Sequence, residues 1–565
     1  LKSRNAILMF ILWTVGIIAW YWQFPNFASS GDTFFHASRI LEIRNAFKSG
    51  SIPPLLAMTT FHHVGTAIPG MYPDFFLWPL VLITNWLSFT HQILMIRIIT
   101  LWLTFWVTYI VLRKRNDNVA DFNLASLALI FTLSGYALYT AFREFQPNTA
   151  LIYAFALPIF LVTKDWLNEK RFNWRITIQL GMAAGFISLN HLLSVIVYLM
   201  LVIPFLLYKL YKRNWAVLLN GAVAGVIAVI LASPFLFRYA VLIQNKMLMP
   251  YGQGDVIGVD VIKLVTETTW GARTSFATPM FLLIIVGLVC FKVGNRNEDA
   301  WLTLGLLVLY SSQDMLWAFI NKVPYFNSLQ YTPWRFAIYL SIPIVLMLSR
   351  ISSKKRWMGI LAIMSGVTIL ASTQFAYGYS SRTATIANTL PKNFDTNVGT
   401  FLIDENDLQN DRITKTAVQD YAPAAMGTDS GALSEEGKNV FLFHSVTGGP
   451  NANFIIRSFG SNEVVMRNEF KVKPNAEIPM FTYQGWKYEV KINGEKIDST
   501  NTRGLLSVNK EILPGSQIVI NTQFKHQKVY DTLLILSVFS WLIAAVLAFT
   551  FRKNNPSSEL IGDTF

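Results

Sequence analysis

Long uncharged apolar runs alternate with short basic loops along most of the chain, and each run has the length of a membrane-crossing helix. The pattern predicts spans at roughly 6–24, 92–112, 122–142, 148–163, 177–190, 193–209, 216–239, 277–293, 300–320, 333–349, 357–376 and 529–551, about twelve in all. The first has no small-residue cleavage site after it and reads as a retained anchor. Residues 75–88 are also apolar, but at about 14 residues the run is short for a crossing and reads as a re-entrant or interfacial piece. Charge supports that choice. With the N-terminus inside, the basic clusters at 2–4, 113–115, 164–175, 209–213, 292–296, 350–356 and 552–553 all fall on the cytoplasmic side. A crossing at 75–88 would put 113–115 outside and break the pattern.

This topology places 25–91, 240–276, 321–332 and 377–528 outside the membrane. Hydropathy drops in the last of these, acidic residues concentrate there, and strand-like runs are expected at 439–444, 453–458, 463–472, 486–492 and 516–522. Asn493-Gly494 is a strong two-residue hairpin signal. The fold class is therefore a polytopic all-α membrane domain with an extracytoplasmic β-sandwich before the last helix. The boundaries are 1–376 for the transmembrane part, 377–528 for the β-rich domain, and 529–565 for the last helix and a cytoplasmic tail. Within 377–436 the chain is polar with little periodicity and reads partly as a long loop.

Directly after the first span comes GDTFFHASRILEIRNAFKSGSIPP, residues 31–54, with capping residues at its start and glycine and prolines at its end. Its mixture of apolar and charged positions predicts a helix lying in the membrane interface. Asp32, His36 and Arg39 recur at i, i+4 and i+7, which puts a carboxylate, an imidazole and a guanidinium on one face.

Composition narrows the class. The 565 residues are 53% hydrophobic and 14% charged, with a net charge of +14 carried mostly in the short loops. The basic residues are topology determinants, not a nucleic-acid footprint. The one cysteine, Cys290, excludes internal disulfides and gives no metal-ligand pattern.

Four stretches together carry a family resemblance: GDTFFHASRI, FHHVGTAIPGMYPDFFLWP, LQYTPWRF, and YQGWKYEVKINGEKI followed by LPGSQIVI. In that order they resemble the bacterial YfhO-like membrane proteins of the GT-C glycosyltransferase superfamily. The resemblance implies transfer of a sugar from a polyprenyl-phosphate-linked donor on the outer face, with an essential acidic residue near the start of the first outer loop. Asp32 is the matching position. The superfamily pattern can include a second acidic residue close by, whereas Thr33 and His36 follow here, which leaves a metal requirement open.

Such a transfer needs a base for the acceptor hydroxyl and positive charge for the departing phosphate. Asp32 is the base candidate, with helix N-capping as the competing role. His36 either orients it, binds acceptor, or is an interfacial histidine with no catalytic task. Arg335, Arg238 and Arg97, at the outer ends of spans, are the candidates for donor phosphate, with snorkelling to lipid headgroups as the alternative. Arg39, His62, His63, Tyr72, Asp74, His191, Asp255, Glu267, Gln330 and Trp334 are candidates to line the substrate cavity. Arg143-Glu144, Asn190, Arg273 and the intramembrane Asp314 are further polar positions. His62-His63 has no second half for a metal site, so no cofactor is assigned and a divalent metal is not favoured. Trp486 and Tyr488 read as sandwich core in preference to a sugar-stacking platform.

The reading is a multi-pass membrane glycosyltransferase acting on a cell-envelope glycopolymer or lipid-linked glycan. Its partners are the lipid-linked donor, the glycan acceptor and the bilayer, with no nucleic acid. The alternatives are a flippase of a lipid-linked glycan, against which stands the lack of a pair of interrupted helices in corresponding halves, and a non-catalytic envelope scaffold.

Overall fold

The computed structural model describes residues 3–29, 32–133, 135–248, 302, 322, 337–351, 355–386, 401–409, 420–428, 432–446 and 454–553. The expected spans 277–293 and 300–320 lie outside the described residues except for residue 302, as do Asp255, Glu267, Arg273, Cys290, Asp314, Gln330, Trp334 and Arg335.

From the N-terminus the chain forms α1 (Ser3–Tyr21), a short strand β1 (Phe27–Ser29), α2 (Thr33–Lys48), a 3-10 turn at Phe61–His63, α3 (Ile68–Met71), α4 (Leu77–Thr84) and α5 (Phe89–Arg115). Then follow α6 (Asp121–Thr132), α7 (Gly135–Leu138), a π-helical turn (Tyr139–Arg143), α8 (Pro147–Ala154), α9 (Ala156–Asn168), α10 (Trp174–Ser188), α11 (Leu192–Tyr211), α12 (Trp215–Leu231) and α13 (Ser233–Leu242). Beyond the undescribed stretch come α14 (Ala337–Ile351) and α15 (Lys355–Ile386).

Five helices among the described residues are long and apolar enough to cross a membrane, and up to eight crossings result if three bent helix pairs each count as one. The protein is a membrane protein. Exposed Leu199, Leu207, Val226, Val229, Leu542 and Val546 present the apolar surface that a bilayer would cover. Helix α4, with eight residues, is about 12 Å long and cannot cross a hydrocarbon core of about 30 Å.

Three expected spans are not continuous. The pairs Asp121–Thr132/Tyr136–Arg143, Pro147–Ala154/Ala156–Asn168 and Trp215–Leu231/Ser233–Leu242 bend by 49°, 52° and 74°. Pro234 sits in the first turn of α13, where its ring is tolerated because the missing N–H has no helical partner there. The expected spans 122–142, 148–163 and 216–239 are therefore each built from two helices, not one.

The C-terminal third holds β2 (Phe401–Ile403), α16 (Glu405–Gln409), a 3-10 turn (Ala424–Met426) and α17 (Glu435–Phe443). Eight strands follow: β3 (Phe454–Gly460), β4 (Glu463–Asn468), β5 (Ala476–Phe481), β6 (Trp486–Ile492), β7 (Glu495–Ile497), β8 (Ser499–Thr502), β9 (Leu505–Val508) and β10 (Gln517–Phe524). They form an antiparallel five-stranded sheet in the order β3-β4-β10-β6-β7 and a three-stranded sheet in the order β5-β9-β8. The last helix, α18 (Gln527–Lys553), leaves directly from β10.

At the β6–β7 turn Asn493 and Gly494 have φ of 51° and 86°, the two positive values a primed hairpin turn requires. Trp486 is buried against Phe524 (ring centroids 4.7 Å), and the Tyr488 hydroxyl accepts from Tyr483 N at 3.0 Å, so both serve the core. The segment expected as a strand at 439–444 is helical instead. Ser434 caps α17 by accepting from Gly437 N, and the acidic Glu435 and Glu436 occupy its first turn, which favours the helix dipole. The start of the expected long loop is helical too, because α15 runs on to Ile386.

The expected interfacial helix is largely enclosed by protein. Thirteen of the sixteen residues of α2 are buried. Arg44 donates to Gln92 Oε1 (2.8 Å) and the Leu87 carbonyl (2.9 Å), and Glu42 accepts from Thr59 N and Thr60 N at 2.7 Å each. Glu42 and Arg44, which suggested a wet face, are thus spent on internal bonds. One hydrophobic cluster runs from α2 and the 55–81 loop into the β strands. Backbone bonds close the same seam: Phe481 N donates to the Val64 carbonyl (2.8 Å), and Ala67 N donates to the Tyr483 hydroxyl (3.3 Å). Gly65 lies at this seam with φ of 72°, and a side chain there would meet the Met480 sulfur.

Candidate functional site

Asp32 and Arg39 both bond residues at the turn that joins the π-helical segment to α8, Gln146 and Asn148 respectively. Thr33 Oγ1 accepts from Phe145 N at 3.0 Å and donates to the Arg143 carbonyl at 3.3 Å, which locks the start of α2 onto this turn. Single π turns are enriched at functional sites because the extra residue re-aims the backbone.

Asp32 occupies the N-cap position, yet its side chain makes no capping bond. Its Oδ2 accepts instead from Gln146 Nε2 at 2.9 Å, and the residue is exposed. The same Gln146 nitrogen lies 3.3 Å from Glu144 Oε2, so one amide joins two carboxylates. Two turns further along α2, Arg39 is buried and donates to Asn148 Oδ1 (3.2 Å), the Pro73 carbonyl (2.8 Å) and His36 Nδ1 (3.1 Å). Its guanidinium lies 4.8 Å from the Tyr72 ring centroid. Burial lowers the Arg39 pKa to about 10, with Asp74 opposing that shift, so the group stays cationic at neutral pH. Because arginine can only donate, His36 Nδ1 must accept. Burial, then the nearby Arg39 and His191 charges, hold the His36 pKa well below its usual value, which keeps the ring neutral.

A second cluster adjoins the first through residues 72–74. Arg238 Nη2 donates to Asp74 Oδ1 and to the Tyr72 carbonyl, both at 2.7 Å, and Nη1 lies 3.4 Å from the Tyr530 hydroxyl. Asp74 Oδ2 accepts from Trp78 Nε1 at 3.1 Å. The Arg238 charge is therefore already matched. Arg97 is not in that position. It is 1% exposed, Nη2 reaches only the Ala28 carbonyl (3.5 Å), Nε has no partner among the described residues, and the Phe145 centroid lies 5.1 Å away.

The structure thus gathers Asp32, His36, Arg39, Arg97, Tyr72, Asp74 and Arg238 around the 143–148 turn and the 72–74 segment. His191 is close enough to act on His36 electrostatically, and its Nδ1 accepts from Ser194 N (3.3 Å) at the start of α11. His62 and His63 lie elsewhere, in the seam with the C-terminal third. His63 contacts the Met58 and Gln409 carbonyls (2.9 and 2.8 Å) and stacks on Phe459, while the His62 carbonyl bonds His444 Nε2 at 2.7 Å.

No group of three or more metal-ligating side chains occurs among the described residues. Two small clefts flank Asp74, one lined by Phe75, Trp78, Phe235, Arg238 and Tyr530, the other by Arg39, Glu42, Pro53, Pro54 and Pro69. Asp32 lines neither. Gln146, Asn148 and Glu42 were missed from sequence. The available signal was the run EFQPN at 144–148, three polar side chains around a proline between two apolar runs.

No family model matches the chain, and no curated protein matches it. A solved structure does. The likeness is to the arabinofuranosyltransferase AftD from mycobacteria, solved by single-particle cryo-EM. The TM-score is 0.42 and the identity 14%, over 67% of this chain and 27% of that one. The chain spans little more than a quarter of AftD, and no site residue is carried over from it.

Proposed function

We propose that this protein is a GT-C-type glycosyltransferase that uses a polyprenyl-phosphate-linked sugar and a cell-envelope glycan acceptor on the outer side of the membrane. One observation carries the reading. Asp32, the residue the family resemblance singles out, is exposed, its side chain makes no bond to the helix it begins, and its carboxylate is held by the Gln146 amide on the same turn whose Asn148 bonds the buried Arg39. In the proposed reaction Asp32 takes the proton of the acceptor hydroxyl as its oxygen bonds to the anomeric carbon. The bond from that carbon to the phosphate oxygen breaks, and the polyprenyl phosphate leaves with its electron pair. Arg97, whose charge has no carboxylate partner among the described residues, and Arg335 stabilise the leaving phosphate. Arg39 and His36 shape the acceptor side. Domain limits at 376 and 528 and cytoplasmic termini belong to the same proposal, in which a divalent metal is not favoured.

The test is Asp32→Asn, with transfer measured from a panel of synthetic undecaprenyl-phosphate-linked hexoses to purified envelope glycan. Loss of a general base costs about 10²–10⁴ in rate. Near-normal transfer by a stable Asp32→Asn protein would move the base elsewhere.

A second reading, a flippase of a lipid-linked glycan, is favoured by the three bent helix pairs, since interrupted helices mark many transporter sites. It predicts carrier movement across proteoliposomes without acceptor, and no dependence on Asp32 as a proton acceptor.

A further inference from the structure

Gln146 is the feature of this site that neither the resemblance nor the comparisons assign. It is buried, and both ends of its placement are fixed: its backbone N–H donates to the Thr140 carbonyl at the π turn, and its carbonyl accepts from Ala150 N in α8. The side-chain nitrogen has two protons to give, and it faces Asp32 Oδ2 at 2.9 Å and Glu144 Oε2 at 3.3 Å. Among the described residues this is the one hydrogen bond to the Asp32 side chain. A neutral double donor is well suited to that place. A lysine there would neutralise a carboxylate, a carboxylate would repel both, and a shorter amide would not reach from the α8 backbone.

From this geometry we infer that Gln146 is a positioning residue: it orients the Asp32 carboxylate through Oδ2, leaving Oδ1 to meet the acceptor hydroxyl. Like charges at close range oppose each other's ionisation, and a hydrogen bond to the ionised form offsets this. The inference rests on Asp32 being the base.

The experiment compares Gln146→Met and Gln146→Glu with the parent and with Asp32→Asn in detergent, using the same undecaprenyl-phosphate-linked hexose panel between pH 5 and 9. Methionine keeps the length and removes the donor, and glutamate adds a third carboxylate. In Gln146→Met the turnover number should fall about ten- to a hundredfold, as expected for loss of a hydrogen bond to a charged group, with KM for the donor little changed. The acid limb of the pH–rate profile should move to higher pH in both variants, further in Gln146→Glu, by about one unit or more. A role confined to folding would lower melting temperature and yield while leaving the shape of that profile unchanged, and this would overturn the inference. So would a Gln146→Met protein with parental turnover and profile. If Asp32→Asn itself transfers sugar normally, the base assignment fails first. If Asp32→Asn is inactive and the Gln146 profiles stay unmoved, only the positioning role fails.

Discussion

The Asp74–Arg238 pair is the most exacting test of how the site is held together. Its side chains are 7% and 3% exposed and 2.7 Å apart. At an effective dielectric near 20, two unit charges at that distance attract by about 6 kcal/mol, much of it offset by the cost of removing both from water. Asp74→Asn keeps the shape and the Trp78 bond but strands the Arg238 cation, leaving it the Tyr72 carbonyl and the Tyr530 hydroxyl. Breaking one side of such a pair typically costs about 3–5 kcal/mol. Asp74→Leu combined with Arg238→Met leaves no stranded charge and should recover most of that loss. Thermal and urea unfolding in detergent, followed by tryptophan fluorescence, measures both, with Trp78 a local reporter. The reasoning is refuted if Asp74→Asn is as stable as the parent, or if the double variant is no more stable than the single one. Retained sugar transfer in the double variant would also place Arg238 among the structural arginines.

Three further outcomes are expected. Arg97→Lys should weaken binding of the undecaprenyl-phosphate-linked donor about ten- to a hundredfold, because lysine cannot reproduce the planar fork, and unchanged donor binding by filter assay would remove Arg97 from the phosphate site. Burial, opposed by its bond to the His62 carbonyl, holds the His444 pKa down to about 4, against 6.5 in the unfolded chain. The unfolded chain therefore binds the extra proton between about pH 6.5 and 4, and stability falls as pH drops through that window. His444→Asn, which tolerates the left-handed backbone there (φ 49°), should flatten the acid loss of melting temperature, and an unaltered pH–stability curve would exclude His444 as a contributor. In a Cys290→Ser background, an impermeant maleimide should label a cysteine at Ser430 from outside and not one at Lys114; labelling at Lys114, or none at Ser430, would overturn the topology.

What was legible in the sequence is what depends on neighbours along the chain. The spans at α5, α11 and α18 declare themselves because every turn of a lipid-facing helix must be apolar, and the period of 3.6 placed Asp32, His36 and Arg39 on one face. The break at Ala232 was signalled by Ser233-Pro234, and α17 by Ser434 and its two glutamates, but the apolar runs beside them outweighed those cues. The burial of α2 was not legible, since its cover includes α16 and β1 and its bonds reach Gln92 and Leu87. The same holds for Gln146 and Asn148, which meet their α2 partners across more than a hundred residues.

The pairing of β1 with β2 sets a schedule for biosynthesis. Ala28 is matched with Leu402, so the strand just before Asp32 waits for a partner about 370 residues downstream. At about 5–20 residues per second, that wait lasts on the order of half a minute. Throughout it, the segment from Phe27 to Lys48 lacks α16 and β2 from its cover, and the open edge of β1 is available to wrong partners. A chain stopped before residue 401 would therefore carry every residue of the Asp32–Gln146 contact without the strand that pairs with β1 just ahead of Asp32.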